Sequence, residues 1–324
     1  MESIFPLRRL GKSDLMVSAV GLGCWQFSKG RGIAAKFWPV LKDEMIQDII
    51  RISIEGGVNW FDTAEAYGNG ESEKALAGAF KFLGISSSDF TIATKWMPFF
   101  RTAKSMLKTV DTRLRNLGAQ QIDLYQIHNP LSFSTTRSEM RAVAHLVESG
   151  KIRYAGVSNF SAKRMKKAQA KLSVYGLSLV SNQVHYSLLH RNIERNGVLD
   201  AALELGISII AYSPLEQGIL TGKFHDDPSL IQNLSGYRKY RSVFKPKGLE
   251  RSRPVIDGLK ELAEKHGVTP AQIALNWLIQ FNGDSMVAIP GATKTRQAKD
   301  NAGVLRFKLS PDELDYLDRI SASN

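Results

Sequence analysis

The sequence predicts an α/β fold: a single-domain (β/α)8 barrel of the TIM type, on three observations. Eight short apolar runs alternate with amphipathic helical patterns along 324 residues. No Pro-, Gly- or Ser-rich linker, internal repeat or low-complexity tract divides the chain. Several of the runs end in a polar side chain, as strands do at the C-terminal mouth of such a barrel.

In chain order, residues 5–15 (FPLRRLGKSDL) predict a short β-hairpin ahead of the barrel. The strands follow at 16–22, 58–61, 90–94, 123–127, 154–158, 179–184, 207–212 and 286–290. Each is rich in β-branched or aromatic residues and bounded by turn formers. Between them, 43–57 carries Ile46, Ile49, Ile50 and Ile54 on one helical face. Helices over 72–82 and 138–149 are predicted to stop at Gly84 and Gly150, where glycine accepts a left-handed cap. Thr269-Pro270-Ala271-Gln272 and Ser310-Pro311-Asp312-Glu313 read as capped helix starts with Pro at the first helical position. The rhythm breaks at 215–253, a long basic loop after the seventh strand with the character of a flap over an anionic ligand.

Bulk composition excludes several classes. Hydrophobic content of 43% and charged content of 23% suit a globular chain, and no run approaches the ~18 apolar residues of a membrane span. The single cysteine, Cys24, fits a reducing compartment, and the N-terminus lacks a secretory apolar run, so a cytoplasmic location is expected. The net charge of +12 is dispersed rather than gathered into a nucleic-acid motif, and neither a nucleic-acid nor a membrane partner is expected. The six His show no metal-ligand spacing, and there is no GxSxG, Walker or CxxC motif. Gly21-Leu22-Gly23 starts like a dinucleotide fingerprint, but Gln26 stands where its third glycine belongs. Oligomeric state and substrate identity leave no mark on the sequence.

Chemistry gathers in VNWFDTAEAYG, FTIATK and DLYQIH, which bring Asp62, Tyr67, Lys95 and His128 to strand ends. A free phenol has a pKa of about 10, too high for easy proton exchange near neutrality. An ammonium at ~4 Å would favour phenolate by ~4 kcal/mol at an effective dielectric of ~20, at most ~3 pKa units before desolvation takes some back. Lys95 is the candidate ammonium, Asp62 keeps it charged, and His128 hydrogen-bonds the same oxygen or orients a carbonyl. A phenol so tuned protonates an alkoxide as it forms, provided a hydride source is at hand. Downstream, Gly291-Ala292-Thr293-Lys294 opens a helix whose N-terminus suits an anion, with Lys294, Gln297 and Asn301 on one face. Trp25 and Trp96 are candidates for a substrate wall or for buried packing.

The stretches FDTAEAYG, ATK, YQIH, GVSNF, SNQVHYSLL, AYSPLEQGILTGK and AIPGATKTRQAKDN, in this order, resemble the aldo-keto reductase superfamily. The likeness runs from about residue 7 to 320 and is strongest to the bacterial and plant-plastid type of NADPH-dependent oxidoreductase. It implies Tyr67 as general acid assisted by Lys95, Asp62 and His128 in the reversible reduction of an aldehyde or ketone. It implies Ser158, Asn159 and Gln183 on the nicotinamide carboxamide and Tyr212 stacked on the nicotinamide face. Ser213, Pro214, Leu215, Gly218, Leu220 and Lys223 lie where such proteins hold the pyrophosphate. The helix after the eighth strand would grip the adenosine 2′-phosphate, implying NADPH over NADH. One departure is Thr293, where many members carry Arg or Lys. A second reading is a cofactor-sensing subunit like the ion-channel β subunits that share the family. The lack of an added N-terminal segment favours the free enzyme acting on a small carbonyl compound. His185 and His190 read as structural.

Overall fold

The computed structural model describes residues 3–32 and 37–322. Eight parallel strands run β3 (Leu22–Gly23), β4 (Trp60–Asp62), β5 (Thr91–Trp96), β6 (Ile122–Ile127), β7 (Ile152–Ser158), β8 (Leu179–His185), β9 (Ser208–Tyr212) and β10 (Met286–Ala288). They pair in sequence order. The sheet closes on itself through parallel bridges Val20–Ala288 and Gly23–Gly291, with Gly21 N donating to Ala288 O at 2.8 Å. This is the expected barrel.

The hairpin is present, but its second strand differs from expectation. β1 (Arg8–Arg9) pairs antiparallel with β2 (Met16–Val17), so the 16–22 run divides between hairpin and barrel. The division has a local cause: Asn59 Oδ1 accepts from Ser18 N at 2.7 Å and Asn59 Nδ2 donates to Met16 O, taking the backbone bonds a longer strand would need. Leu10, Leu15 and Val17 then pack on Trp60, Ala93, Leu124, Val180, Ile210 and Val287, sealing the N-terminal end of the barrel. Gly21 is required here, because a Cβ would sit 2.3 Å from Trp60 Cε2. Closing one end leaves a single open mouth.

The outer helices follow the periodicity of their sequences. α1 (Asp43–Glu55) buries Ile46, Ile49 and Ile50. α2 (Glu71–Leu83) and α4 (Thr136–Glu148), flanking α3 (Ala103–Leu117), end at the left-handed Gly84 and just before the left-handed Gly150. α5 (Ala162–Leu172), α6 (Asn192–Arg195) and α7 (Val198–Leu205) follow. The segment after β9 is less irregular than expected. It forms short 3-10 turns and α8 (Lys223–Asp226), and α9 (Pro246–His266) already begins at Pro246 and runs through Pro254. Only 213–245 is left as a flap. α10 (Pro270–Phe281), α11 (Thr295–Gly303) and α12 (Pro311–Ser321) complete the layer. The capping boxes of Thr269 with Gln272 and Ser310 with Glu313 are both formed. Among the described residues, no helix is long and apolar enough to cross a membrane.

Candidate active site

Strand β4 ends at Asp62, and the turn after it carries Tyr67; Lys95 lies on β5 and His128 one residue beyond β6. The structure brings all four together. Lys95 Nζ donates to Asp62 Oδ1, to Thr63 O at 2.9 Å and to Tyr67 Oη at 3.3 Å, so all three ammonium donors are used. Lys95 and Asp62 are 0% and 1% exposed. Such a pair is tolerable only when its remaining lone pairs are satisfied. Asp62 Oδ2 accepts from Gln126 Nε2 at 3.1 Å and from Gln183 Nε2 at 2.8 Å. Gln126 escaped the sequence reading, yet period-two alternation put it on the lumenal face with Leu124. A polar residue facing a barrel lumen was the available signal.

The charge balance differs from expectation. Burial opposes the Lys95 charge, but Asp62 and Tyr67 outweigh it and raise its pKa above the ordinary lysine value. Tyr67 moves the other way from what its neighbour suggested. Burial pushes its pKa up, Lys95 pulls it down only in part, and Asp62 pushes it up again. Asp62 neutralises the field that was to acidify the phenol. Tyr67 therefore holds its proton throughout the neutral range. Burial, with Lys95 nearby, depresses His128 to about 3, so its imidazole is neutral. Its ring meets that of Tyr67 edge-on at 5.6 Å, and His128 Nδ1 is buried without a protein partner.

Asp62, Tyr67 and His128 face a cavity of about 1200 Å³ at the open mouth, with Lys95 buried beneath them. Tyr67 and His128 line one part with Trp25, whose ring centre is 6.2 Å from that of Tyr67. Trp96 does not. Lys95 takes the lumenal side of β5, so Trp96 points to the helix layer, fully buried, with Nε1 donating to Ser105 Oγ at 3.0 Å. Phe37 and Trp38 line the cavity instead.

The middle of the cavity is lined by Ser158, Asn159, Gln183 and Tyr212. Asn159 has φ 59°, donates through Nδ2 to Ser158 Oγ at 3.1 Å, and accepts the Tyr212 hydroxyl at 3.0 Å. Ser213, Pro214, Leu215, Gly218 and Lys223 also line the cavity, as do Gly291, Thr293, Lys294, Gln297 and Asn301. Leu220 is the exception: it is fully buried and its N–H already donates to Leu215 O. Ser213, Glu216, Gln217 and Gly218 have φ of 50°, 46°, 53° and 101°. Such a run of left-handed residues is strained, and strain of this kind collects at ligand sites. Gln297 Oε1 caps α11 by accepting from Thr293 N at 2.7 Å and Lys294 N at 3.2 Å.

The flap adds cations that the sequence reading did not single out. Arg238 and Arg241 line the cavity with Lys223, Lys294 and Arg296. Arg238 lies over the Trp38 ring at 4.3 Å, donates to Gln217 O at 2.6 Å and keeps a buried Nε without a partner. Burial and Arg241 push it down to about 10, and burial with Arg238, Lys294 and Arg296 lowers Lys223. These cations gather on one stretch of the cavity wall. His185, read as structural, also reaches the cavity wall.

A closed parallel barrel with a buried Asp–Lys pair under a tyrosine, opening into a long cationic cavity, has the design of a barrel oxidoreductase. The chain belongs to the aldo/keto reductase family, whose model matches residues 19–322. It is 37% identical over 302 residues to an uncharacterised oxidoreductase of Mycobacterium tuberculosis (strain ATCC 25618 / H37Rv), covering 93% of this chain and 88% of that one. A probable aldo-keto reductase of Glycine max is 30% identical over 315 residues, 94% and 86% of the two chains. Among solved structures, a thermostable aldo-keto reductase in complex with the inhibitor epalrestat superposes with a TM-score of 0.78 at 28% identity, covering 98% of this chain and 100% of that one. The glycerol dehydrogenase of Gluconobacter oxydans gives 0.83 at 27%, covering 98% and 95%.

Proposed function

We propose that this oxidoreductase reduces an aldehyde or ketone to the alcohol with NADPH, and that Tyr67 delivers the proton. The observation that carries the proposal is the Tyr67 hydroxyl at the cavity wall, held at 3.3 Å by an ammonium that Asp62 keeps charged. Because Lys95 donates to the phenol oxygen, the phenol's own hydrogen is free to point at a ligand. The cofactor, when bound, supplies the hydride. A long cavity with strained backbone along one wall, cations at one end and the unpartnered Arg238 Nε fits a dinucleotide. Ser158, Asn159 and Gln183 would hold the carboxamide, Tyr212 would carry the nicotinamide ring, and Lys223 and Arg238 would meet the pyrophosphate. Neutral His128 orients the substrate carbonyl by donating a hydrogen bond. As charge builds on that oxygen, Tyr67 transfers its proton; an alkoxide is far more basic than a phenolate, so a raised phenol pKa does not block the step. In the alcohol-oxidising direction the same groups run in reverse. The test is loss of reduced-nicotinamide absorbance across a carbonyl panel, with NADH in parallel. No turnover of any carbonyl by protein that binds NADPH would overturn it.

The 2′-phosphate contact is assigned to Lys294. Gln297 takes the N–H groups of Thr293 and Lys294 just ahead of α11, Thr293 brings no charge, and the Lys294 side chain lines the cavity. Lys294→Ala is expected to raise the KM for NADPH about tenfold and to leave that for NADH within about twofold, the size of one charge-assisted hydrogen bond. Equal rises for both cofactors would remove the assignment.

The pH profile follows from the two shifts. Reduction needs Tyr67 protonated, and its pKa lies above the ordinary 10.0. kcat/KM for reduction should therefore hold from about pH 5 to 9 and fall only in strong alkali, while alcohol oxidation rises there. With His128 near 3, no inflection belongs to it around 6.5. An inflection there that disappears in His128→Asn would contradict a neutral His128.

A further inference from the structure

Behind Tyr212 stands a column of rings. The His185 imidazole stacks on the Tyr212 ring, 5.4 Å between centres and 10° from parallel, and His190 stacks on the far side of His185 at 3.9 Å and 16°. The first contact follows from the sheet, since His185 on β8 is in register with Tyr212 on β9. His185 Nε2 meets Glu216 Oε1, which also accepts from Ser187 Oγ at 3.1 Å. Glu216 is 2% exposed and left-handed at φ 46°, inside the strained run from Ser213 to Gly218. One buried carboxylate thus joins the support of the Tyr212 ring to the cavity's strained wall.

We infer that His185 and Glu216 are a positioning pair for the cofactor, fixing the Tyr212 ring and the 213–218 loop in one geometry. The inference rests on the proposed nicotinamide site and extends it to the pair that supports the Tyr212 ring from β8 and the loop. The chemistry explains the residue types. A carboxylate accepts only, so the imidazole supplies Nε2–H to it while presenting a flat face to Tyr212. Phenylalanine would supply the face alone and glutamine the donor alone. Burial works to raise the Glu216 pKa, but the hydrogen bonds from His185 and Ser187 hold it low, so the acceptor stays ionised. A buried carboxylate is costly unless hydrogen-bonded, and removing His185 leaves Glu216 with the Ser187 hydroxyl alone and unties the loop from the Tyr212 support. Arg241, on the flap, lines the same cavity, and its charge acts on both Tyr212 and Glu216. Tyr212 is pinned at its other end by the Asn159 bond. The ring is held from two sides.

A double-mutant cycle on NADPH binding tests the pair. His185→Ala and Glu216→Ala are each expected to raise the NADPH dissociation constant about tenfold, and the double variant no further than about threefold beyond either, because both remove one tie. The carbonyl KM at saturating NADPH should stay within about twofold of wild type. Three results would overturn the inference: single variants within about twofold of wild type in NADPH affinity, effects that multiply to about a hundredfold in the double variant, or a carbonyl KM that moves as far as the cofactor constant. Should Glu216→Ala yield no folded protein, His185→Phe decides. It keeps the ring and loses the bond, and is expected to weaken NADPH binding at least about threefold; wild-type affinity would overturn the pair. Wild-type protein that binds no NADPH would instead sink the proposed function, and this inference with it.

Discussion

Tyr67→Phe is expected to lower the rate of carbonyl reduction about a thousandfold or more while leaving NADPH affinity within about twofold of wild type. The substitution removes one oxygen and keeps the ring beside Trp25 and His128. Lys95 retains Asp62 and Thr63 O as acceptors, so the ion pair beneath stays intact. What disappears is the proton donor. Neutral His128 cannot stand in for it at full rate, because an imidazole already deprotonated at one nitrogen is a far poorer acid than a phenol. The experiment pairs single-turnover rates with a fluorescence titration of NADPH. A rate within about tenfold of wild type would mean that the proton comes from elsewhere.

Lys95→Met is expected to do two kinds of damage at once. It strands Asp62, 1% exposed, with the Gln126 and Gln183 amides but no cation. Breaking a buried pair from one side costs about 3–5 kcal/mol, and urea denaturation should report a loss of that order. Reduction should fall by about a hundredfold or more, since Tyr67 loses the donor that fixes its oxygen and favours the developing phenolate. The double variant Lys95→Met with Asp62→Asn separates the two effects. With no stranded charge it should regain most of the stability, yet none of the rate. Recovery of both together would show that Lys95 acts only by holding the fold.

The strand ends were legible because each of three short apolar runs terminates in a residue that an apolar core would not keep: Asp62, Lys95 and His128. Alternation carried more than was taken from it. Lumenal Leu124 implies lumenal Gln126, and lumenal Lys95 implies that Trp96 faces the helices. The direction of the Tyr67 shift could not be read locally. Its burial comes with a wall built from segments near residues 25 and 38, and its field depends on how closely Asp62 neutralises Lys95. Arg238 shared a basic stretch with several solvent-facing cations, and only the folded flap sets it over Trp38. His185 gained its place from strand register, which a single sequence does not specify. The continuation of α9 through Pro254 ran against the usual meaning of proline as a stop.

The most direct test is to follow deuterium from NADPH labelled at the transferring position of the nicotinamide, in wild type and in Tyr67→Phe. The account predicts deuterium on the carbinol carbon of the alcohol formed by the wild-type protein, and almost no product from the variant. Alcohol without deuterium at that carbon, or labelled alcohol made by Tyr67→Phe at close to the wild-type rate, would contradict it.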